Sequence, residues 1–441
     1  MTAINVKGFH SSRGIGAVYS GIVILGGKRT PFGDFTKTLS RINPVELGIL
    51  ASRAAIESCG IKGEDIDQVI FGNVAQSGPD AYYLVRHIGL YSGVPVDRPA
   101  LLVNRICGSG FETIIHAAEQ IYLGKADVVL TGGTENMSLN PTAAYGLRMG
   151  HDMGQPGLVD TLYEELYDPA CGFYMGETAE NLAQKYNITR EEVDRFAFQG
   201  QQNYSRAKAA GFFDDEIVPV RSCTFERESL KPRKLKLPRG VEELRCDEHP
   251  RETTMEKMAK LGPVFKKDGV HTAANCSGIV DGAAAVIVAS EEAARRLGIK
   301  PIGRLLASAS VGVPPEIMGI GPAPAIKNII DISGKSLAEI DYFEINEAFG
   351  AQCLAVVKEA GLDLGRVNVN GGAIAMGHPL AATGTRLTLT MLRQFGATNK
   401  NLGIASACIG GGQGTAILVE RYKKKFLPRF FQKAGRRRQL L

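Results

Sequence analysis

Short apolar runs alternate with amphipathic stretches along most of this chain. "GIVILGGKRTPFGDF" (21–35) reads as a strand that breaks at Gly26-Gly27, so the folded body is expected to begin near Ser20. "NPVELGILASRAAIESCGI" follows with helical spacing, and Leu47, Leu50, Ala54 and Ile56 predict one buried stripe. "IDQVIFGNV" reads as a strand. "CGSGFETIIHAAEQIYLGKA" has a small-residue start, apolar helical spacing and a Gly near its end. It predicts a helix beginning around Ser109–Phe111. "ADVVLTGGTENMS" predicts a buried strand running into a Gly-rich turn.

From about Ser138 to Gly278 the texture changes: charges cluster and apolar strands become sparse. "TAENLAQKYNI" and "TREEVDRFAFQGQQNYSRAKAAG" predict helices, the second with Thr189 and Glu192 in a capping-box pattern. "FERESLKPRKLKLPRG" is charged and broken by proline, which predicts an exposed loop. This block reads as an insertion.

After it the strand–helix texture returns and resembles the first part. "GEDIDQVIFGNV" (63–74) matches "LAEIDYFEINEA" (337–348), and "VNRICGSG" (103–110) matches "VNVNGGAIAMGHPLAATG" in the same order. Each pair leads into a further helix and strand. Two duplicated α/β halves packed face to face would explain this, with mixed or mainly parallel sheets and helices on their faces. The expected organisation is an extension at 1–20, a first half at 21–137 with 279–300, an inserted domain at 138–278, a second half at 301–420 and a basic tail at 421–441.

Composition narrows the class. The chain has 441 residues, 44% of them hydrophobic and 22% charged, which suits a globular enzyme with a large core. No apolar run reaches the roughly 18 residues of a membrane-spanning helix. Nine cations lie after Glu420 and two within residues 1–20; taking those eleven from the total of +5 leaves −6 for the body. The basic character therefore sits at the ends. The tail also carries Phe426, Phe430 and Phe431, a mixture that can rest on an anionic membrane surface or stay solvated. A nucleic-acid role would rest on that tail alone and has no supporting motif. The eight cysteines form no CxxC pair, which argues against a zinc site or a disulfide framework. Residues 1–20 lack an apolar secretory core but fit a weak organellar leader.

Four motifs carry reactive groups beside glycines: Cys107 in "CGSG", Asn346-Glu347 in "NEAFG", His378 in "GHP" and Cys408 in "CIGGG". Three fall at predicted strand ends, where sites of α/β folds collect. The helix predicted after Cys107 would aim amides at its sulfur and favour thiolate, while Gly108 and Gly110 would leave room for an acyl group. Alone, "CGSG" fits a buried structural cysteine equally well. His378 can take the thiol proton, or cap a helix. Cys408 could serve as a second proton carrier, with amides of Gly410 to Gly412 free for an oxyanion.

With "KRTPFG", "NRICGSGFETI", "GGTENMS", "MGETAEN", "NCSGIVDGAAA", "MGIGPAPA", "NEAFG", "NVNGGAIAMGHP" and "CIGGGQGTA" in this order, residues 21–420 resemble the thiolase family. The resemblance implies a duplicated α-β-α-β-α layered core with an inserted loop domain. It implies acyl transfer between Cys107 and CoA, with CoA as substrate and no metal or redox cofactor. His378 would activate Cys107, and Cys408 would protonate or deprotonate the acetyl-CoA carbon. Asn346, through a water, and His378 would form one oxyanion hole; the amides of Cys107 and Gly410 would form the other. Ser277 would contact the pantetheine arm and Met318 would line the acyl pocket. The resemblance also implies a homodimer or homotetramer, and some thiolases pair with a partner in a fatty-acid oxidation complex. It places the chain in a bacterial cytoplasm or a mitochondrial matrix.

This chain departs from the pattern at Tyr174, where many short-chain biosynthetic thiolases carry His, and at His271, Cys276 and Gly350. A ketoacyl-synthase type would share the fold and the nucleophile but normally lacks the second cysteine. A non-catalytic assembly subunit would show decay of at least one motif, and all four are intact.

Overall fold

The computed structural model describes residues 4–11, 14–151, 153–155 and 157–423. A hairpin comes first, β1 (Asn5–Ser11) and β2 (Gly14–Ser20). The first half holds β3 (Ile22–Arg29), α1 (Pro44–Ser58), β4 (Gln68–Gly72), β5 (Ala100–Val103), α2 (Ser109–Tyr122) and β6 (Val128–Asn136). Helices α3 (Thr161–Glu165), α4 (Met175–Lys185) and α5 (Arg190–Ala209) follow, before β7 (Val280–Ser290) returns to the sheet. The second half holds β8 (Gly303–Gly312), α6 (Pro322–Ser333), β9 (Tyr342–Ile345), α7 (Gly350–Ala360), α8 (Leu380–Ala397), β10 (Leu402–Ile409) and β11 (Gln413–Arg421).

The strands run β9-β10-β11-β8-β3-β7-β6-β4-β5, a mixed sheet. Read outward from the β8–β3 contact, the two halves have the same order. Pairs β4–β5, β4–β6 and β9–β10 are parallel; β7 and β11 run antiparallel to both neighbours. The join is narrow: only Gly303 opposite Ile24 and Arg304 opposite Val23. Helices α2 and α8 pack on each other, and α8 touches β6 and β7 of one half and β9 and β10 of the other. They form the middle layer. Helix α1 covers the outer face of the first half and α6 that of the second. All eleven residues of β7, "VDGAAAVIVAS", are buried, as expected of a strand with helices on both faces.

The duplication extends to single hydrogen bonds. Asp67 Oδ2 accepts from the amides of Asp127 and Val128 at the start of β6. Its counterpart Asp341 accepts through Oδ2 from Asn401 and Leu402 at the start of β10.

Several expectations need correction. The first strand does not break at Gly26-Gly27. β3 continues to Arg29, because a side chain at Gly27 would meet Ala285 O at 2.5 Å and only glycine lets β7 lie so close. Leu50 and Ala54 are half-buried; the stripe that α1 buries includes Leu47, Ala51, Ala55 and Ile56. The ordered chain begins before Ser20, since β2 pairs with β8 and Ile4 and Val6 pack on the middle core. The charged stretch after Phe225 is not simply a loop. Cys223–Phe225 and Arg233–Leu235 form a small ladder, and Phe225, Leu235 and Leu237 are buried against the first half. At the other end, Arg421 closes β11 and Tyr422 is buried, so the basic tail starts later than expected. Residues 424–441 lie outside the described residues. The Thr189–Glu192 capping box is formed as expected.

Glycine sets the middle layer. A side chain at Gly110 would stand 2.7 Å from Ala381 O and Thr385 N, and one at Gly384 would stand 2.4 Å from Phe111 N. These are backbone atoms that cannot move aside. Gly384→Val should therefore cost more than the usual overpacking penalty of about 1–3 kcal/mol. A thermal melt should show a lower midpoint than Gly396→Val, where a side chain meets open space.

Candidate active site

The four reactive motifs converge where the two halves meet. Cys107 follows β5 and precedes α2; Asn346 follows β9; Cys408 is the penultimate residue of β10; His378 lies just before α8. A tight elbow carries Cys107. Ile106 has φ +46°, an unusual backbone for a β-branched residue and a place where strain is stored. The turn is held by Asn104 Oδ1, which accepts from the Ile106 amide at 3.0 Å. Ser109 Oγ also holds it, accepting from Arg105 N at 2.9 Å and donating to Ile106 O at 2.7 Å.

The backbone amides of Gly410 and of Cys107 itself face the Cys107 sulfur and favour its charged form. Burial nonetheless pushes its thiol well above the ordinary range, Cys408 and Glu165 add to the rise, and the two amides offset only part of it. The balance therefore runs against the expected thiolate, although Cys107 itself is only half-buried. Desolvation outweighs the helix terminus. The expected role for Gly110 also changes: it serves the α2–α8 crossing, and Gly108 packs against Ile409. Cys408 is buried with Met318, Ala348, Met175 and Phe349, and burial pushes its thiol up to about 12.

His378 is buried, and burial first, then the charge of Arg386, brings it down to about 3. The imidazole is neutral at working pH. Its Nδ1 lies 2.6 Å from Thr383 Oγ1, whose hydroxyl donates to Pro379 O. Asn346 Nδ2 lies 3.2 Å from His378 Nε2. This network assigns the proton to Nδ1 and leaves Nε2 as the acceptor. Asn346 Oδ1 is buried and has no partner among the described residues.

Ser277 is half-buried; its amide donates to Ala348 O, beside the bridge between Cys276 and Phe349. Met175 and Phe349 also line a cavity of about 360 Å³ with Tyr163, Tyr174, Val264 and Phe265. The same Met175 and Phe349 pack against Cys408. Tyr174 packs at a tilt against the rings of Tyr163 and Tyr167. His271 is buried behind Phe349, between Glu180 and the Ala351 amide. A larger cavity of about 610 Å³ beside Arg393 and Tyr422 is remote from all four motifs.

Sequence reasoning did not single out Thr383, Met175, Phe349, Glu135 or Glu165. Thr383 falls in the first turn after "HP", a legible signal for a histidine partner. Met175 and Phe349 lie inside quoted motifs but look like ordinary core. Glu135, fully buried, accepts from Asn73 and from the amides of Val74, Ala75 and Ala381.

Family models match along nearly the whole body: the thiolase N-terminal domain over residues 22–292 and the thiolase C-terminal domain over 299–421. The chain belongs to the thiolase family. It is 44% identical over 406 residues to the mitochondrial 3-ketoacyl-CoA thiolase of Bos taurus, covering 92% of this chain and 99% of that one. It is 42% identical to a beta-ketothiolase of Cupriavidus necator, covering 91% and 99%. The crystal structure of human mitochondrial 3-ketoacyl-CoA thiolase superposes with a TM-score of 0.87 at 42% identity, covering 91% and 99%. A second structure of that human enzyme, in complex with CoA, gives 0.85 at 42% identity, covering 91% and 98%. As a thiolase, this chain is a CoA-dependent acyltransferase with the thiolase fold.

Because the folded thiol is raised, its thiolate fraction still climbs where a free cysteine has levelled off. Alkylation of Cys107 by iodoacetamide should accelerate steadily from about pH 8 to 10, with no plateau near the ordinary value of about 8.5. Mass analysis of the Cys107 peptide follows it. A plateau at or below that value would show a resting ion pair instead.

Proposed function

We propose that this thiolase cleaves 3-ketoacyl-CoA with CoA to give acetyl-CoA and a shortened acyl-CoA, or runs the reverse Claisen condensation, through an acyl group on Cys107. The observation that carries this reading is the convergence of a thiol faced by backbone amides, a neutral histidine and a second, protonated thiol.

Cys107 Sγ attacks the 3-keto carbon while His378 Nε2 takes the thiol proton. The proton moves as the C–S bond forms, because neither group is ionised at rest. The amides of Cys107 and Gly410 receive the oxyanion. The Cα–Cβ bond breaks, and the electron pair passes to the acetyl-CoA enolate. Its thioester oxygen is held by His378, now a donor at Nε2, and by a water on Asn346, whose free Oδ1 would accept a hydrogen bond from that water. Cys408 protonates the enolate carbon; its raised pKa keeps that proton in place until needed. Free CoA then attacks the Cys107 thioester, and the proton from its thiol returns the site to rest. Ser277 contacts the pantetheine arm, Met318 lines the acyl pocket, and the Tyr174 cavity admits the chain. The inserted block at 138–278 contributes most of that opening, between the halves at 21–137 with 279–300 and 301–420.

We further read the protein as a homodimer or homotetramer, supported by β5, an edge strand with Leu101 exposed. A partner in a fatty-acid oxidation complex and a mitochondrial-matrix or bacterial-cytoplasmic setting belong to the same reading. The named relatives are mitochondrial and bacterial enzymes. No helix among the described residues is long and apolar enough to cross a membrane. Peripheral contact would rest on the basic tail. The full chain should then bind anionic vesicles in a flotation assay, and deletion of residues 424–441 should abolish it; equal binding would remove the tail from the account.

Cys107→Ala should lower thiolysis of 3-ketoacyl-CoA by at least about a thousandfold, the scale expected when a covalent nucleophile is lost. Wild-type protein given acyl-CoA without free CoA should gain the acyl mass on the Cys107 peptide. Acyl mass on another residue would overturn the assignment.

A further inference from the structure

The acyl group on Cys107 meets a wall that is not uniformly apolar. Met137, Leu162 and Leu380 form a buried cluster against which Cys107 packs, with Leu166 partly buried beside them. Leu162 belongs to α3, and the same short helix ends at Glu165, next to Leu166. Glu165 is half-buried. Its Oε2 accepts from Asn140 Nδ2 at 3.0 Å. Its Oε1 is buried with no hydrogen-bond partner among the described residues, and so is Asn140 Oδ1. The charge of Glu165 is felt at Cys107 and at Glu135. Glu135 is saturated by four donors and has nothing to offer a ligand. Glu165 and Asn140 are not saturated. Two buried acceptors without donors are costly unless something supplies the donor, and here they stand beside the nucleophile.

We propose that Glu165, held by Asn140, is a specificity residue that selects acyl chains carrying a hydrogen-bond donor, a hydroxyl, over plain alkyl chains. The proposal rests on the thiolase reading of Cys107. A hydroxyl satisfies the acceptors; an alkyl chain leaves them unpaired. The reaction is unchanged, since the hydroxyl takes no part in bond making.

The test uses full-length enzyme and matched 3-ketoacyl-CoA pairs of four, six and eight carbons. One member of each pair is alkyl and the other carries a hydroxyl at the chain end. At one length or more, wild type should favour the hydroxylated member in kcat/KM by about tenfold or more. Glu165→Leu should reverse that preference, gaining on the alkyl member and losing on the other. Glu165→Gln keeps a polar end, should retain part of the preference, and guards against misfolding in the Leu variant. Acylation of Cys107 by acetyl-CoA reports that each variant is folded. Wild type that cleaves both members equally at every length would overturn the proposal. So would a Leu variant that changes both members in parallel. Wild type that cleaves neither member would sink the thiolase reading, and the proposal with it.

Discussion

Where α2 and α8 cross, backbone meets backbone. A side chain at Gly110 or Gly384 would collide with main-chain atoms of the other helix, and one at Gly133 would stand 1.8 Å from Ala381 O. The close approach fixes the start of α8 against the start of α2 and the middle of β6. Cys107 lies three residues before Gly110, and His378 three residues before Ala381. The contact that joins the halves therefore also sets where Cys107 and His378 stand. Cys408 and Asn346 arrive at the same place because β10 and β9 end there, on strands that α8 also covers.

Burial at the same place shifts the protonation equilibria of all three groups. Both thiols are held protonated and the imidazole neutral by burial. These are the states the proposed concerted attack would need: an acceptor without a proton and a donor that still has one. The amides at the Cys107 sulfur do not create a resting thiolate. They act when charge develops, which is where preorganised donors are worth most. The unusual backbone at Ile106 is the local expense of aiming the sulfur at them.

Duplication supplied the frame and divergence the site. Asp67 and Asp341 still make matching bonds to the strands beside them. The loops at the strand ends have parted: one half presents Cys107 before its helix, and the other presents His378. Glu135 is spent as an architectural acceptor that ties β6 to Ala381. Glu165, in the segment between β6 and β7, is outside this symmetry.

Much was legible from the chain alone. Period-two and helical spacing located the main strands and helices, the ordered repeats revealed two halves, and four glycine-flanked motifs named the reactive groups. These features are local, so residue order carries them. Others depend on every atom nearby. Gly26-Gly27 reads as a break until β7 is seen lying against it. Phe225, Leu235 and Leu237 look like parts of a charged loop until a core receives them. Residues 5–20 read as an extension until β8 pairs with β2. The sign of the shift at Cys107 was set by desolvation against two amides, a balance of surroundings that spacing cannot report. What the sequence by itself determined was the chemistry available. Which protons rest where, and what faces the acyl chain, was decided only by the tertiary structure, because burial is a property of the assembled halves.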